Sequence, residues 1–345
     1  MSPTSPPQPI FSLRGHRSPV KALSFLDNHE DVAHCFVSGA EDGILKLWNI
    51  NQAEVRIKGV ITGTTAVCIV IHDTVTAHVN PISIHMVRAC ESMLHSYNTV
   101  CFRKFQYTPA TLLWSDLSIM VRTTYLMTKL YEQRTSGLTI CKKKLLVHPV
   151  EEKSSIQMFD LSSSKTSHKF QPTDPSKYGM VMCVKAMNGT SYIITGYEDG
   201  TIALWDIRQQ QIISELKVYK EPVMCLDASI THSTCGIRLI AGSVNQEAVS
   251  LKLCAEKTLR EERIELPSSG ISCCQIRPDN KIVCLTSWDG TCRVYSWKKL
   301  KLLGLLDYHM DIIHCVKFSN FPIPQHGNLL AAASKDSQIS LWSLY

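Results

Sequence analysis

Two stretches of the chain carry the same order of apolar and polar positions. "SGAEDGILKLWNI" (Ser38 to Ile50) and "TGYEDGTIALWDI" (Thr195 to Ile207) each lead a small apolar run into Glu-Asp-Gly and then into a second apolar run ending at a Trp. Short β-prone runs on either side of Asp-Gly predict two antiparallel strands joined by a tight turn. The unit returns as "TSWDGTCRVYSW" (Thr286 to Trp297) and "ASKDSQISLWSL" (Ala333 to Leu344), so that a turn Asp stands six residues before an aromatic in Asp42/Trp48, Asp199/Trp205, Asp289/Tyr295 and Asp336/Trp342. Weaker copies end at Phe159 and Leu251, and the steps from Phe159 onward are 46, 46, 44 and 47 residues. The first interval, Trp48 to Phe159, is 111 residues. It fits two repeats of about 40–45 residues with roughly 20 inserted. Seven repeats are expected, each a four-stranded blade in a radial array.

Upstream of the strong anchors lie further strand patterns: "HRSPVKALSF" from His16, "KEPVMCLD" from Lys220 and "HMDIIHCVKF" from His309. The chain stops at Tyr345, three residues past Trp342, which leaves the last blade without an outer strand. "PIFSLRGH", ending at His16, matches "LLGLLDYH", ending at His309. Phe11 to Arg14 is therefore expected to complete the last blade by main-chain pairing and remove an open edge. Residues 1–8, rich in Pro and Ser, read as a flexible tail, and residues 9–345 as a single domain. Between Gly59 and His148 the period fails, making the second blade irregular and residues 60–148 weakly assigned. Three readings stay open there: two strands around an inserted helix, a partner-specific loop, or a faulty gene-model translation.

Composition narrows the function classes. With 345 residues, 44% hydrophobic and a formal charge of +6 spread along the chain, the sequence supports a large core and announces no nucleic-acid surface. No apolar run is long enough for a membrane span, and the start lacks a secretory pattern. The 14 cysteines include no Cys-x-x-Cys and mostly sit in apolar runs such as "ISCCQI" and "VMCL", which reads as buried thiols. No metal-ligand set, phosphate loop or nucleophile elbow is present, so neither cofactor nor catalytic residue is assigned.

The placement of His before the first strand, Ser or Thr on the second, Asp in the turn and Trp on the third resembles the WD-repeat family, whose fold is an all-β propeller. The resemblance implies a buried chain through His16, Ser38, Asp42 and Trp48, in which carboxylate holds imidazole, imidazole takes hydroxyl, and hydroxyl takes indole N–H. Thr195, Asp199 and Trp205, with Asp289, are assigned to the same structural network. His309, Asp336 and Trp342 would repeat it with a gap, because Ala332 occupies the hydroxyl position. Ser, His and Asp together suggest a hydrolase triad, but here they come with a Trp and recur by repeat, which blade stacking requires and catalysis does not.

More closely, "FSLRGHRSPVKALSF", "GYEDGTIALWDI", "EPVMCLD", "IRPDNKIVCLTSWDGTCRVYSW" and "LLAAASKDSQISLWSLY" are similar to the guanine nucleotide-binding protein subunit β-like protein 1 family, related to fungal ASTRA-associated proteins. The similarity covers residues 9–58 and about 150–345. It implies a non-enzymatic adaptor of cytoplasm and nucleus. Such an adaptor works with the Triple-T co-chaperone complex to stabilise phosphatidylinositol-3-kinase-related kinases, and so supports DNA-damage signalling. Two rivals are a heterotrimeric G-protein β subunit, which would need an N-terminal coiled-coil helix, and an RNA-binding propeller, whose candidate cluster is Trp297 with Lys298, Lys299 and Lys301. The expected partner surface is one rim, where the second-to-third-strand turns meet the loops before each first strand. Arg17, Glu41, Tyr197, Glu198, Glu221, Trp288, Asp311 and Lys335 stand there in the sequence.

Overall fold

The computed structural model describes residues 7–25, 35–50, 55–61, 139–141, 145–150, 154–160, 165–187, 190–230, 236–253 and 259–344. These residues form six four-stranded antiparallel sheets and no α-helix. In spatial order, blade A consists of Val20–Phe25, Cys35–Ala40, Leu45–Ile50 and Val55–Ile61. Blade B follows with Thr139–Cys141, Leu145–Pro149, Ile156–Asp160 and Lys165–Phe170. Blade C is Val181–Ala186, Tyr192–Tyr197, Thr201–Asp206 and Gln211–Lys217; blade D is Val223–Ile230, Ile237–Ser243, Glu247–Leu253 and Leu259–Glu265. Blade E is Ile271–Ile276, Ile282–Ser287, Thr291–Ser296 and Leu302–Asp307. Blade F takes three strands from the C-terminal end, Ile313–Phe318, Leu329–Ser334 and Gln338–Ser343, and its fourth, Phe11–Arg14, from the N-terminal end. Of the irregular stretch 60–148, residues 62–138 and 142–144 lie outside the described residues, and residues 139–141 and 145–148 stand in blade B; residues 1–6 of the expected tail also lie outside them.

Closure works as the sequence pattern implies. Phe11, Ser12, Leu13 and Arg14 pair with Leu341, Ser340, Ile339 and Gln338, and Ile10 N–H donates to Leu341 C=O at 2.8 Å. Leu13 is buried in a core that joins Ala331, Ile339 and Leu341 of blade F to Val20, Phe36 and Trp48 of blade A. Similar cores lie between B and C, C and D, D and E, and E and F. Where a blade is covered by another on both faces, as C, D, E and F are, its inner strands read as continuous apolar runs rather than alternating ones. Cys35–Ala40 and Ile282–Ser287 are buried at every position.

The Asp-Gly turns are tight for a steric reason. Gly200 has φ +88°, and a Cβ there would sit 2.2 Å from Tyr219 C=O in the loop entering blade D. A side chain at this position would push adjacent blades apart.

The cysteines mostly behave as small apolar fillers: Cys183, Cys225 and Cys274 are buried. Burial raises the Cys183 thiol well above its ordinary pKa, and a hydrogen bond with Cys225, then burial, raises that of Cys274. One pair departs from the expectation of free thiols: Cys284 and Cys292, on adjoining strands of blade E, are joined as a disulfide with Cα atoms 6.5 Å apart.

Candidate functional site

The inferred relays divide by blade. In blade A, Trp48 Nε1–H donates to Ser38 Oγ at 2.7 Å, and the Ser38 hydroxyl meets His16 Nε2 at 2.6 Å. A hydroxyl that accepts from indole donates to the imidazole, which assigns the ring proton to His16 Nδ1. That buried Nδ1 has no partner among the described residues, because the carboxylate of Asp42 turns instead to Ile44 N–H at 3.1 Å. The expected Asp42–His16 link is therefore not made. Burial, and then the neighbouring Lys46 ammonium, lower the His16 pKa to about 4 against the opposing pull of Asp42.

Blade F carries the complete chain. Asp336 Oδ2 lies 2.8 Å from His309 Nδ1, His309 Nε2 lies 2.8 Å from Ser340 Oγ, and Trp342 Nε1–H donates to the same Ser340 oxygen at 2.8 Å. The expected gap at Ala332 is filled from across the ladder. Ser340 pairs directly with Ala332, so the hydroxyl enters the same space from the third strand rather than the second. Burial alone would raise the Asp336 carboxyl, but its hydrogen bonds to His309 and to main-chain N–H groups hold it below the usual range.

Blades C, D and E use other side chains. In C, Trp205 Nε1–H donates to Thr195 Oγ1 at 3.0 Å, while Asp199 accepts from Thr201 N–H at 2.9 Å and Thr201 Oγ1–H at 2.7 Å. Tyrosines stand before the first strands of C and D where A and F have histidine. Tyr178 reaches Glu215 and packs its ring 4.8 Å from that of Tyr197, and Tyr219 Oη–H is shared by Ala241 C=O (2.9 Å) and Glu247 C=O (3.1 Å). In E, Asp289 binds Arg293, Ser268 and Thr291 and no histidine. Burial would raise its carboxyl, and these donors together pull it far down. Among the described residues these polar groups bond to one another and to the main chain, and so hold the blades. Among the described residues no group of three or more His, Cys, Asp or Glu could hold a metal ion.

The rim is defined by main-chain bonds between each turn and the loop before the first strand of its own blade. Glu41 N–H donates to Pro19 C=O, Glu198 to Met180, Trp288 to Gly270 and Lys335 to Ile312, all at 2.9 Å. Arg17, Glu41, Glu198 and Lys335 are exposed there, and Glu221 and Asp311 are half-buried. Lys335 pairs with Asp311 at 3.4 Å and Lys21 with Glu41 at 3.6 Å. Tyr197 does not belong to this surface. It is the last residue of its strand, and its ring is buried under Tyr178 rather than carried out on the turn. Trp288 is 42% exposed and lies flat over Gly270, whose missing side chain makes room for the ring. Two apolar residues on the same loops were not anticipated: Met180, exposed beside Glu198, and Met310, 91% exposed beside Asp311. Each lies one or two residues past the Tyr or His that anchors its loop, the only signal that marks them. Trp297, the aromatic of the candidate RNA cluster, is buried: Arg238 covers its ring at 4.1 Å and its Nε1–H donates to Ser229 Oγ at 3.0 Å. It offers no face to a base.

A family model for "WD domain, G-beta repeat" matches residues 7–49, 166–206, 260–296 and 300–343. The chain is 27% identical over 347 residues to mouse (Mus musculus) guanine nucleotide-binding protein subunit beta-like protein 1, covering 99% of this chain and 97% of the relative. It is 25% identical over 389 residues to ASTRA-associated protein 1 of Schizosaccharomyces japonicus, covering 98% and 99%. A 71-residue stretch is 46% identical to ASTRA-associated protein 1 of Schizosaccharomyces pombe, covering 21% of this chain and 18% of the relative.

Proposed function

We propose that this chain, a WD-repeat protein related to the G-protein-β-like and ASTRA-associated proteins, is a non-enzymatic adaptor whose turn rim meets other proteins. The observation that supports this most is the division of labour among its polar groups. In blade F the His, Ser, Asp and Trp side chains that resemble a catalytic set are closed into blade-holding bonds, while Met310, Met180 and Trp288 stand among charges at the tips. Apolar anchors ringed by charged neighbours are the composition of protein-binding hot spots.

The ASTRA-associated relatives carry an assembly in their name, and we assign the chain to the same line of work in cytoplasm and nucleus. It assists the Triple-T co-chaperone complex in stabilising phosphatidylinositol-3-kinase-related kinases, and through them DNA-damage signalling. The test is affinity purification of the tagged full chain with mass spectrometry, repeated with Trp288→Ala combined with Met310→Ala. Recovery of the kinases and their co-chaperones by the wild type, reduced in a double variant that keeps its circular dichroism, is the expected result. A G-protein γ subunit or ribosomal RNA in their place would overturn it. Full recovery by the double variant would move the interface off the rim.

A further inference from the structure

The outer strand of each blade has one side paired and one side open, and the open sides differ. Blade D closes with "LREERIE", in which Arg263 is paired with Glu247 and Glu261. Blade C closes with "QIISELK", where Glu215 is held by Lys177, and blade B with the polar "KTSHKF". Charges of this kind blunt an open edge against pairing with another chain. Blade E closes with "LLGLLD" and has no charge before Asp307.

The strand Leu302–Asp307 pairs only with Thr291–Ser296, and no further strand lies beyond it among the described residues. Leu306 turns inward to the core shared with blade F. Leu302, Leu303 and Leu305 are 49%, 54% and 41% exposed. Leu303 is the extra residue of a bulge, since Tyr295 pairs with Leu302 and Val294 with Gly304. Gly304 sits between the exposed leucines with nothing within 4 Å of where a Cβ would be. A glycine inside a strand with open space over it suits the close approach of another backbone. Lys298, Lys299 and Lys301 are exposed just before the strand, and no carboxylate is paired with any of them among the described ion pairs.

We propose that this edge docks an extended segment of a partner protein, added as a fifth antiparallel strand to blade E. The segment is apolar at alternate positions, to lie against Leu303 and Leu305, and acidic beyond its C-terminal end. Antiparallel pairing brings that end beside Lys298, Lys299 and Lys301, and alternating side-chain pockets on an open edge are the usual basis of strand addition. A second copy of this chain fits less well, because antiparallel pairing would set three lysines against the single Asp307 at the far end. The site is separate from the turn rim and does not depend on the rim being an interface.

The probe is a random dodecapeptide phage library selected on the immobilised full chain. Enriched peptides are then synthesised and titrated by fluorescence anisotropy against the wild type, Leu303→Lys with Leu305→Lys, and Lys298→Glu with Lys299→Glu and Lys301→Glu. All of these positions are exposed, so the variants keep the wild-type circular dichroism. Peptides with alternating apolar residues and a C-terminal acidic run are expected, weakened about tenfold or more by the leucine variant. The lysine variant should lower affinity and remove its salt dependence. Enriched peptides that bind all three proteins alike, or a library that yields no binder, would overturn the proposal. Concentration-dependent dimerisation of the wild type, abolished in the leucine variant, would name a second copy as the occupant and overturn the assignment to a partner segment.

Discussion

Ser340→Ala tests the relay that sequence alone left incomplete. The Ser340 hydroxyl is buried and serves two groups, His309 Nε2 and Trp342 Nε1–H, each at 2.8 Å. Its removal leaves both unpaired in a site closed to solvent, and each unpaired group costs about 1–3 kcal/mol, so the expected loss is about 2–6 kcal/mol. For a domain of this size that lowers Tm by about 3–8 °C. Because Ala332 is the direct cross-strand neighbour of Ser340, Ala332→Ser added to Ser340→Ala restores a hydroxyl from the second strand, where Ser38 stands in blade A. The pair should recover at least about half of the loss. Urea unfolding followed by tryptophan fluorescence measures both. A Ser340→Ala loss below about 0.5 kcal/mol would show that the hydroxyl carries no relay. Failure of Ala332→Ser to recover any stability would show that the two strand positions do not reach the same space.

Deleting residues 1–15 removes the strand paired with Gln338–Ser343 and the buried Leu13, and thermal unfolding should move down by several degrees or the protein should aggregate; an unchanged melt refutes ring closure. His16 takes its proton near pH 6.5 when unfolded and near 4 when folded, so its contribution is full above about 6.5 and lost as pH falls through 4, worth about 1–2 kcal/mol after solvent screening. Stability measured from pH 7 to pH 4 should flatten in His16→Gln, and an identical slope would refute the assignment. Asp227, buried in blade D, binds Lys185 of blade C at 2.6 Å and Ile276 N–H of blade E at 2.7 Å. Asp227→Ala should cost about 1–3 kcal/mol in urea unfolding, since it leaves the buried Ile276 N–H unpaired while Lys185 turns to solvent, and a loss under about 0.5 kcal/mol would show that the three blades do not lean on it.

The parts of the fold legible in sequence were those fixed by local geometry. A turn Asp six residues before an aromatic marks two paired strands, at Asp42, Asp199 and Asp289 with Gly after it and at Asp336 with Ser337. Ring closure was legible for the same reason, because a repeat that lacks its outer strand must find one. What failed was the assignment of one partner to one position. The eye expects a hydroxyl at Ala332, but a relay needs only an oxygen at a point in space, and Ser340 reaches that point from the neighbouring strand. Tyr197 was misplaced because its neighbours Glu198 and Asp199 are turn residues, whereas its own side chain alternates inward with the strand. One residue along a strand reverses the face.

The uneven decay of the relays has a consequence for the surface. Among the described residues, blades A and F are the ones with a histidine in contact with the hydroxyl beside Trp, and these two blades are joined across the closing strand. In C and D a buried tyrosine anchors the loop instead, and in E a buried arginine holds the turn. Each solution fixes the base of a turn from beneath and makes no demand on its tip. The tips are therefore free to differ: Arg17, Lys220 and Met310 follow the anchoring residue in A, D and F, one cationic, one cationic and one apolar. A scaffold held by interchangeable polar anchors can vary what it presents without losing the blade, which is the physical condition for a propeller to serve as a specific adaptor rather than a generic one.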